Sequence, residues 1–280
     1  MTTESLPPAE KVTVVAGLLA DRVRQYDAAQ DRRAAFAYTY YRLTTTLAAA
    51  LDTGAPAFRD PPWVAELCET LASAYFDAMD GIDAWLAGRS GTPPGEVRPD
   101  DLPDSVPRPW RDVFAASSAR RSYTLEDVLF SMMAHISYDL PGALRRMTAS
   151  TGERGHLRGH VADFHRMNDV LGSCIDRVQD DLSSRYIHGL DSLDRLFTRS
   201  DELLTNYGIR VARGLAWFNC DRLLDPDSAD EAARSIARST AALISEIRSP
   251  GDRKLRAGLW ILRRLIPERR QWPPAGTPVE

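Results

Sequence analysis

The 280-residue sequence has little cysteine, almost no lysine and no long apolar run. Its three cysteines, Cys68, Cys174 and Cys220, lie far apart. No Cys-x-x-Cys occurs, which excludes a zinc knuckle and a thioredoxin-type pair, and the globular composition argues against a disulfide-stapled mini-protein. Each cysteine falls on an apolar helical stripe, where a free thiol packs as a small hydrophobe, so a reducing, cytoplasmic setting is expected. The longest apolar stretch, Val12 to Ala20, is far shorter than the ~20 residues needed to span a bilayer. The first ten residues hold two prolines, two acids and no basic segment, unlike a secretory signal. Only Lys11 and Lys254 are lysines among 35 basic residues, and 39 acidic residues leave a net charge of −4. That balance argues against a nucleic-acid partner, which calls for dense positive charge. Walker A, Gly-x-Gly-x-x-Gly and Gly-x-Ser-x-Gly patterns are also missing, so nucleotide binding and a hydrolase elbow have no support.

What remains is a 44% hydrophobic, 26% charged chain of globular character. Period-2 alternation and hairpin signals are scarce, while helical spacing recurs throughout. The spacing predicts helices over about 10–29, 31–52, 62–80, 107–118, 125–139, 141–149, 161–187, 201–224, 227–248 and 253–266. The expected fold is all-α: a single bundle of about eight to ten helices with a C-terminal helical extension. The organisation reads as an N-terminal helix (1–30), a helical core domain with the site (31–224), an extension (225–270) and a disordered tail (271–280). The proline-rich segment 88–107 is expected to be a solvated loop with a possible role as a lid, and 150–160 a Gly-rich loop. The basic amphipathic helix at 252–270 suits either packing with a solvated face or contact with a membrane surface.

Polar residues inside apolar helical arcs mark a candidate site, because a buried carboxylate without a partner is costly. In 125–139, Leu125, Leu129, Met132, Met133 and Ile136 define an arc that also takes in Asp139, with His135 at its edge one turn earlier. Pro141 removes the amide that would bond Ser137, so a kink or break is expected there. In 161–187, Asp163 falls within the arc, His160 joins it if the helix starts early, and Asn168 sits at its edge. In 201–224, Arg213 lies within the arc, spaced to stack on Trp217. The economical arrangement brings His135, Asp139, Asp163, Asn168 and Arg213 together in one polar cluster between facing helices.

The same residues carry a family resemblance. FRDPPWVAELCETLASAYFDAM (58–79), PWRDVF (109–114), FSMMAHISYDLPGAL (130–144), DFHRMNDVL (163–171) and VARGLAWFNCDRLL (211–224) occur in order. Together they resemble the uncharacterised all-helical family known as domain of unknown function 5995, over about residues 31–224. The resemblance implies an all-α fold and marks His135, Asp139, Asn168 and Arg213 as matching family motif positions. Met133 and Ser137 stand where the family usually or often has asparagine. The family carries no established reaction to transfer.

Three chemical readings follow. In the first, a His held by Asp in a water-poor pocket moves a proton: His135, Asp139 and Asp163 are catalytic, and Arg213, Asn168, Tyr75 and Trp217 bind a small apolar molecule by isomerase, cyclase or lyase chemistry, with no cofactor. In the second, His135, Asp139, His160 and Asp163 ligate one divalent metal (Zn, Mn or Fe) for hydrolase or oxygenase chemistry. In the third, Asp163 pairs with Arg213 and Asp139 caps a helix, and the cluster is structural. Non-enzymatic binding by the helical surface is a separate alternative. Tyr38 and Tyr41 are weaker candidates, off the main stripe.

Overall fold

A computed structural model describes residues 6–89, 96–120, 122–151, 154–188, 201–265 and 269–279. Its helices are α1 (Pro8–Ala28), α2 (Ala34–Thr53), α3 (Pro61–Ala87), α4 (Arg108–Ser117), α5 (Thr124–Ala134), α6 (Leu140–Thr151), α7 (Arg154–Gly159), α8 (Val161–Gly172), α9 (Ile175–Tyr186), α10 (Asp201–Leu223), α11 (Ala229–Arg248) and α12 (Arg253–Leu265). A π-helical turn, His135–Asp139, joins α5 to α6, and a 3-10 turn covers Pro99–Asp101. The fold is all-α. Its one departure among the described residues is a two-residue antiparallel pairing of Ile187–His188 with Arg269–Arg270.

Local chemistry sets the helix ends. Asp60 accepts from the Trp63 amide at 3.1 Å, and prolines occupy the first turn of α3, where a missing N–H costs nothing. α3 runs to Ala87, beyond the expected stop at 80. Gly81 sits inside it because a Cβ there would come within 2.9 Å of Val106 Cγ2, so the glycine lets the 96–107 segment lie against the helix. The span expected as one helix over 161–187 breaks at Ser173 and Cys174, between α8 and α9.

Most of the apolar interior is one cluster that includes Leu67, Tyr75, Trp110, Phe130, Leu140, Leu144 and Phe164. A second cluster joins Val23, Tyr26, Tyr38, Leu182, Tyr186 and Val279, with Trp272 packed against it. The tail therefore differs from expectation. Residues 271–279 are not disordered: Gln271 donates its amide to the Tyr186 carbonyl at 2.9 Å, the Trp272 ring lies edge-on to Tyr186, and Val279 is buried. Two other loop expectations also change. Within 88–107, Val97, Leu102 and Val106 are buried, while 90–95 lie outside the described residues. The Gly-rich segment 150–160 is partly helical, as the end of α6 and as α7.

Two helix faces repay attention. On α5 the expected inward arc is reversed at its start: Leu125 and Leu129 are exposed, whereas Thr124, Asp127, Val128 and Ser131 are buried. On α12 Leu255, Trp260 and Ile261 are exposed beside Arg253, Lys254 and Arg256. No helix among the described residues is long and apolar enough to cross a membrane.

Candidate functional site

Pro141 does not break the chain. Because it offers no N–H to the Ser137 carbonyl, the helix widens one turn earlier, and the Leu140 amide bonds the His135 carbonyl five residues back. The widened turn runs from His135 to Asp139, so both site residues sit at the irregularity. Both are buried. His135 Nδ1 lies 3.1 Å from Asp139 Oδ2. Trp110, brought in by α4, donates its indole N–H to both Asp139 oxygens at 3.2 and 3.0 Å. Burial pushes the Asp139 carboxyl above its ordinary value, and the hydrogen bonds from His135 and Trp110 offset this in part. With Asp139 ionised, Nδ1 carries the imidazole proton and donates it to the carboxylate. Nε2 is then left with its lone pair, and among the described residues it has no hydrogen-bond partner.

The His135 ring forms part of the wall of an apolar cavity of about 90 Å³ that opens to solvent. Phe36, Tyr40, Leu43, Thr44 and Leu47 of α2, Leu67, Cys68 and Leu71 of α3, Met132 of α5, Ile136 in the π turn, Leu140 of α6, Met167 and Leu171 of α8, and Ile209 and Arg213 of α10 complete it. Tyr40 lies against the imidazole with ring centroids 4.5 Å apart, and Phe36 and Tyr75 meet it edge-on at 5.8 and 6.1 Å. The Tyr40 hydroxyl and Thr44 Oγ1 are buried with no partner among the described residues. Burial raises the Tyr40 phenol well above its ordinary value, so it stays protonated. Burial pushes the Cys68 thiol up to about 12, which leaves it a poor nucleophile. On its other side Asp139 lines a separate, more polar cleft of about 410 Å³ with Tyr138, Arg145 and Arg146. The dyad thus stands between two cavities.

Arg213 is 4% exposed. Its Nε donates to Asn168 Oδ1, its Nη2 to the Phe164 carbonyl at 3.3 Å, and its guanidinium lies 4.4 Å over the Phe164 ring. It stacks on Phe164, not on Trp217 as expected; Trp217 packs against that same Phe164 ring, with centroids 4.7 Å apart. Neither does Arg213 pair with Asp163, and among the described residues it has no carboxylate partner. With desolvation unopposed, its pKa falls to about 10, which leaves it charged at neutral pH.

Asp163 and His160 belong elsewhere. Asp163 accepts the backbone amides of Arg59 and Asp60 at 2.9 and 2.8 Å, pinning the chain just ahead of α3. His160 bonds Asp60 Oδ2 through Nε2 at 2.9 Å and stacks on Trp63 at 4.6 Å. The single cluster expected from the helical wheels is therefore two arrangements. One holds His135 and Asp139 and shares its cavity with Arg213, which Asn168 holds; the other holds His160 and Asp163 against Asp60. The four-ligand metal set is corrected accordingly. Among the described residues no three His, Cys, Asp or Glu side chains gather where they could hold one ion. Tyr75 presents its ring edge to His135 and does not line the cavity. Tyr38, expected off the stripe, is buried in the second cluster beside Tyr186.

Trp110, Tyr40 and Thr44 were not anticipated. Trp110 lies in the PWRDVF stretch, but nothing in a sequence pairs it with a carboxylate on another helix. Tyr40 and Thr44 share a wheel face with Phe36, Leu43 and Leu47, so the search for polar residues inside apolar arcs would have found them on α2. Comparison with known families adds one result: residues 12–250 match the model of a family of unknown function, DUF5995. The chain belongs to this family. Its DUF5995 region extends past the 31–224 expected from the motifs, taking in most of α1 and all of α11, so α11 is not an appended extension. No curated protein and no solved structure matches the chain.

Proposed function

We propose that this DUF5995 protein is a small-molecule enzyme in which His135 moves protons on an apolar substrate, an isomerase-, cyclase- or lyase-type reaction without a metal. One observation carries the reading. His135, oriented through Nδ1 by Asp139, has an Nε2 with no partner among the described residues and forms part of an apolar cavity wall. A buried imidazole nitrogen left without a partner is costly in a structural role, whereas a general base requires it. In the simplest version Nε2 takes a proton from an acidic C–H of the bound substrate. Ionised Asp139 stabilises the imidazolium, and the protonated Tyr40 hydroxyl donates to an oxygen that gains negative charge. Return of a proton from the imidazolium to another carbon, after some exchange with solvent while it is held, completes an isomerisation with atoms balanced. The apolar walls exclude water that would otherwise compete for the proton.

The test uses exchange. The wild-type chain and His135→Gln are incubated in D2O with a fractionated lipid and metabolite extract, and deuterium incorporation and mass-neutral conversions are read by mass spectrometry. The expected outcome is a fraction that the wild type deuterates or converts, with the variant slower by about 10²–10⁴-fold, the usual worth of a positioned base. Equal behaviour of the two proteins across all fractions, with matching melting curves, overturns the reading.

A further inference from the structure

Arg213 is the feature that proton transfer leaves unused. It is a guanidinium 4% exposed, and its contacts are an amide oxygen, a backbone carbonyl, a thioether and an aromatic face. All are neutral. Buried arginines are ordinarily matched by a carboxylate, because an uncompensated charge in a low-dielectric interior costs several kcal/mol. No described carboxylate fills that role here. Its Nη1 donates to no described residue, and the side chain contributes to the wall of the same cavity as His135. Asn168 meanwhile fixes the guanidinium through Nε, holding a donor fork in place before anything binds.

The remaining wall restricts what the anion can be attached to. Apart from His135, Arg213, Tyr40, Thr44 and Cys68 the lining is Leu, Ile, Met and Phe. Its half-buried members are Leu43, Leu71, Met132, Ile136, Leu171 and Ile209, all apolar. Phosphate esters and sugars would bring hydroxyls and charges this surface cannot pair. A single planar anion on a hydrocarbon body fits: the anion faces the guanidinium in the bidentate manner of Arg–carboxylate pairs, and the body lies along the aliphatic wall.

We infer that the ligand of this cavity is an apolar monocarboxylic acid, its carboxylate received by Arg213 and its hydrocarbon portion lying between His135 and the cavity opening. The inference rests on the cavity proposed above as the active site, but it concerns recognition and holds whether or not turnover follows.

A series with one tail and three charges tests it: octanoate, 1-octanol and octylamine, titrated calorimetrically into the full chain, into Arg213→Met and Arg213→Lys, and into His135→Gln. The wild type is expected to bind octanoate about tenfold or more tighter than octanol, in keeping with a charge-assisted hydrogen bond, and octylamine weakest. Arg213→Met should lose that preference while still binding octanol. Arg213→Lys, which keeps the charge without the fork, should retain part of it and guards against misfolding in the methionine variant. His135→Gln changes the cavity wall and can shift all three affinities, but it should keep the preference for octanoate over octanol, because the carboxylate is received by Arg213. Equal affinity for octanoate and octanol in the wild type, an unchanged preference in Arg213→Met, or no binding of any of the three overturns the inference. Arg213-dependent octanoate binding with no deuterium exchange would instead overturn the enzymatic reading alone, and exchange without carboxylate preference would overturn this one alone.

Discussion

At Asp139, burial opposes ionisation and two hydrogen bonds favour it, with burial the larger effect. A carboxyl raised in the folded state binds its proton more readily there than in the unfolded chain. Its contribution to stability is therefore largest at low pH and is lost as the pH rises from the ordinary value of 3.8 toward the raised folded one. Asp139→Asn removes that slope. It is expected to be as stable as the wild type or more so at neutral pH and to lack the wild type's decline above pH 3.8, as measured by urea unfolding at a series of pH values. Deuterium exchange should nevertheless fall sharply. An Asn amide can donate to Nδ1, which places the imidazole proton on Nε2 and removes the base. Greater stability with lower activity at one position separates a group kept for chemistry from one kept for packing. At this scale much was legible. His135, Asp139, Asn168 and Arg213 are buried where the wheels placed them, but their partners were not. Asp163 shows why: its carboxylate accepts from backbone amides about a hundred residues away, and every residue type but proline carries those.

Among the elements, that carboxylate is one of the ties between α8 and the start of α3, beside the contact of His160 with Asp60 and Trp63. Asp163→Ala leaves the Arg59 and Asp60 amides without their acceptor, next to the Asp60 cap that starts α3. A loss of about 1–3 kcal/mol is expected, visible in urea unfolding, with octanoate affinity unchanged. A Kd that rises in step with the instability would instead return Asp163 to the site. The π turn follows from a similar logic. Its cause, Pro141, is plain in the sequence, and a disturbance next to His135 and Asp139 was foreseeable. Whether the helix would break or widen was not, because that depends on what α6 gains by continuing: Leu140, Ala143, Leu144 and Met147 are all buried. Burying a leucine is worth roughly 1.5–3 kcal/mol, enough to favour a widened helix over a broken one. The α5 face was misread for a related reason. Apolar counting placed Leu125 and Leu129 inside, but Asp127 is buried instead because Arg270, from the far end of the chain, pairs with it at 2.6 Å.

Across the whole molecule, that ion pair ties the tail to the bundle. Ile187–His188 pairs with Arg269–Arg270, the Gln271 amide bonds Tyr186, and Trp272 and Val279 join the apolar cluster of α1, α2 and α9. Compositional bias marks proline-rich tails as unstructured; here a few apolar residues and one arginine find partners that local reading cannot supply. Arg270→Ala is expected to lower unfolding free energy by about 1–3 kcal/mol through the loss of a hydrogen bond to a mostly buried charge. Hydrogen exchange should rise at both α5 and the tail, and an effect confined to the tail would show that the pair does not couple them.

The dyad also forms a partition. His135 borders a cavity lined almost wholly by hydrocarbon, Asp139 borders an open cleft with two arginines, and a 3.1 Å contact joins them. If His135 does work as a base, it ends each turnover as it began, since the proton it takes is given back, but an imidazolium that lasts long enough can trade protons with solvent, and the cleft lined by Asp139 offers that solvent. Protons could then be exchanged with bulk water through the carboxylate while the hydrocarbon chamber stays dry. Such a site would answer to the pH outside without admitting the water that sets it.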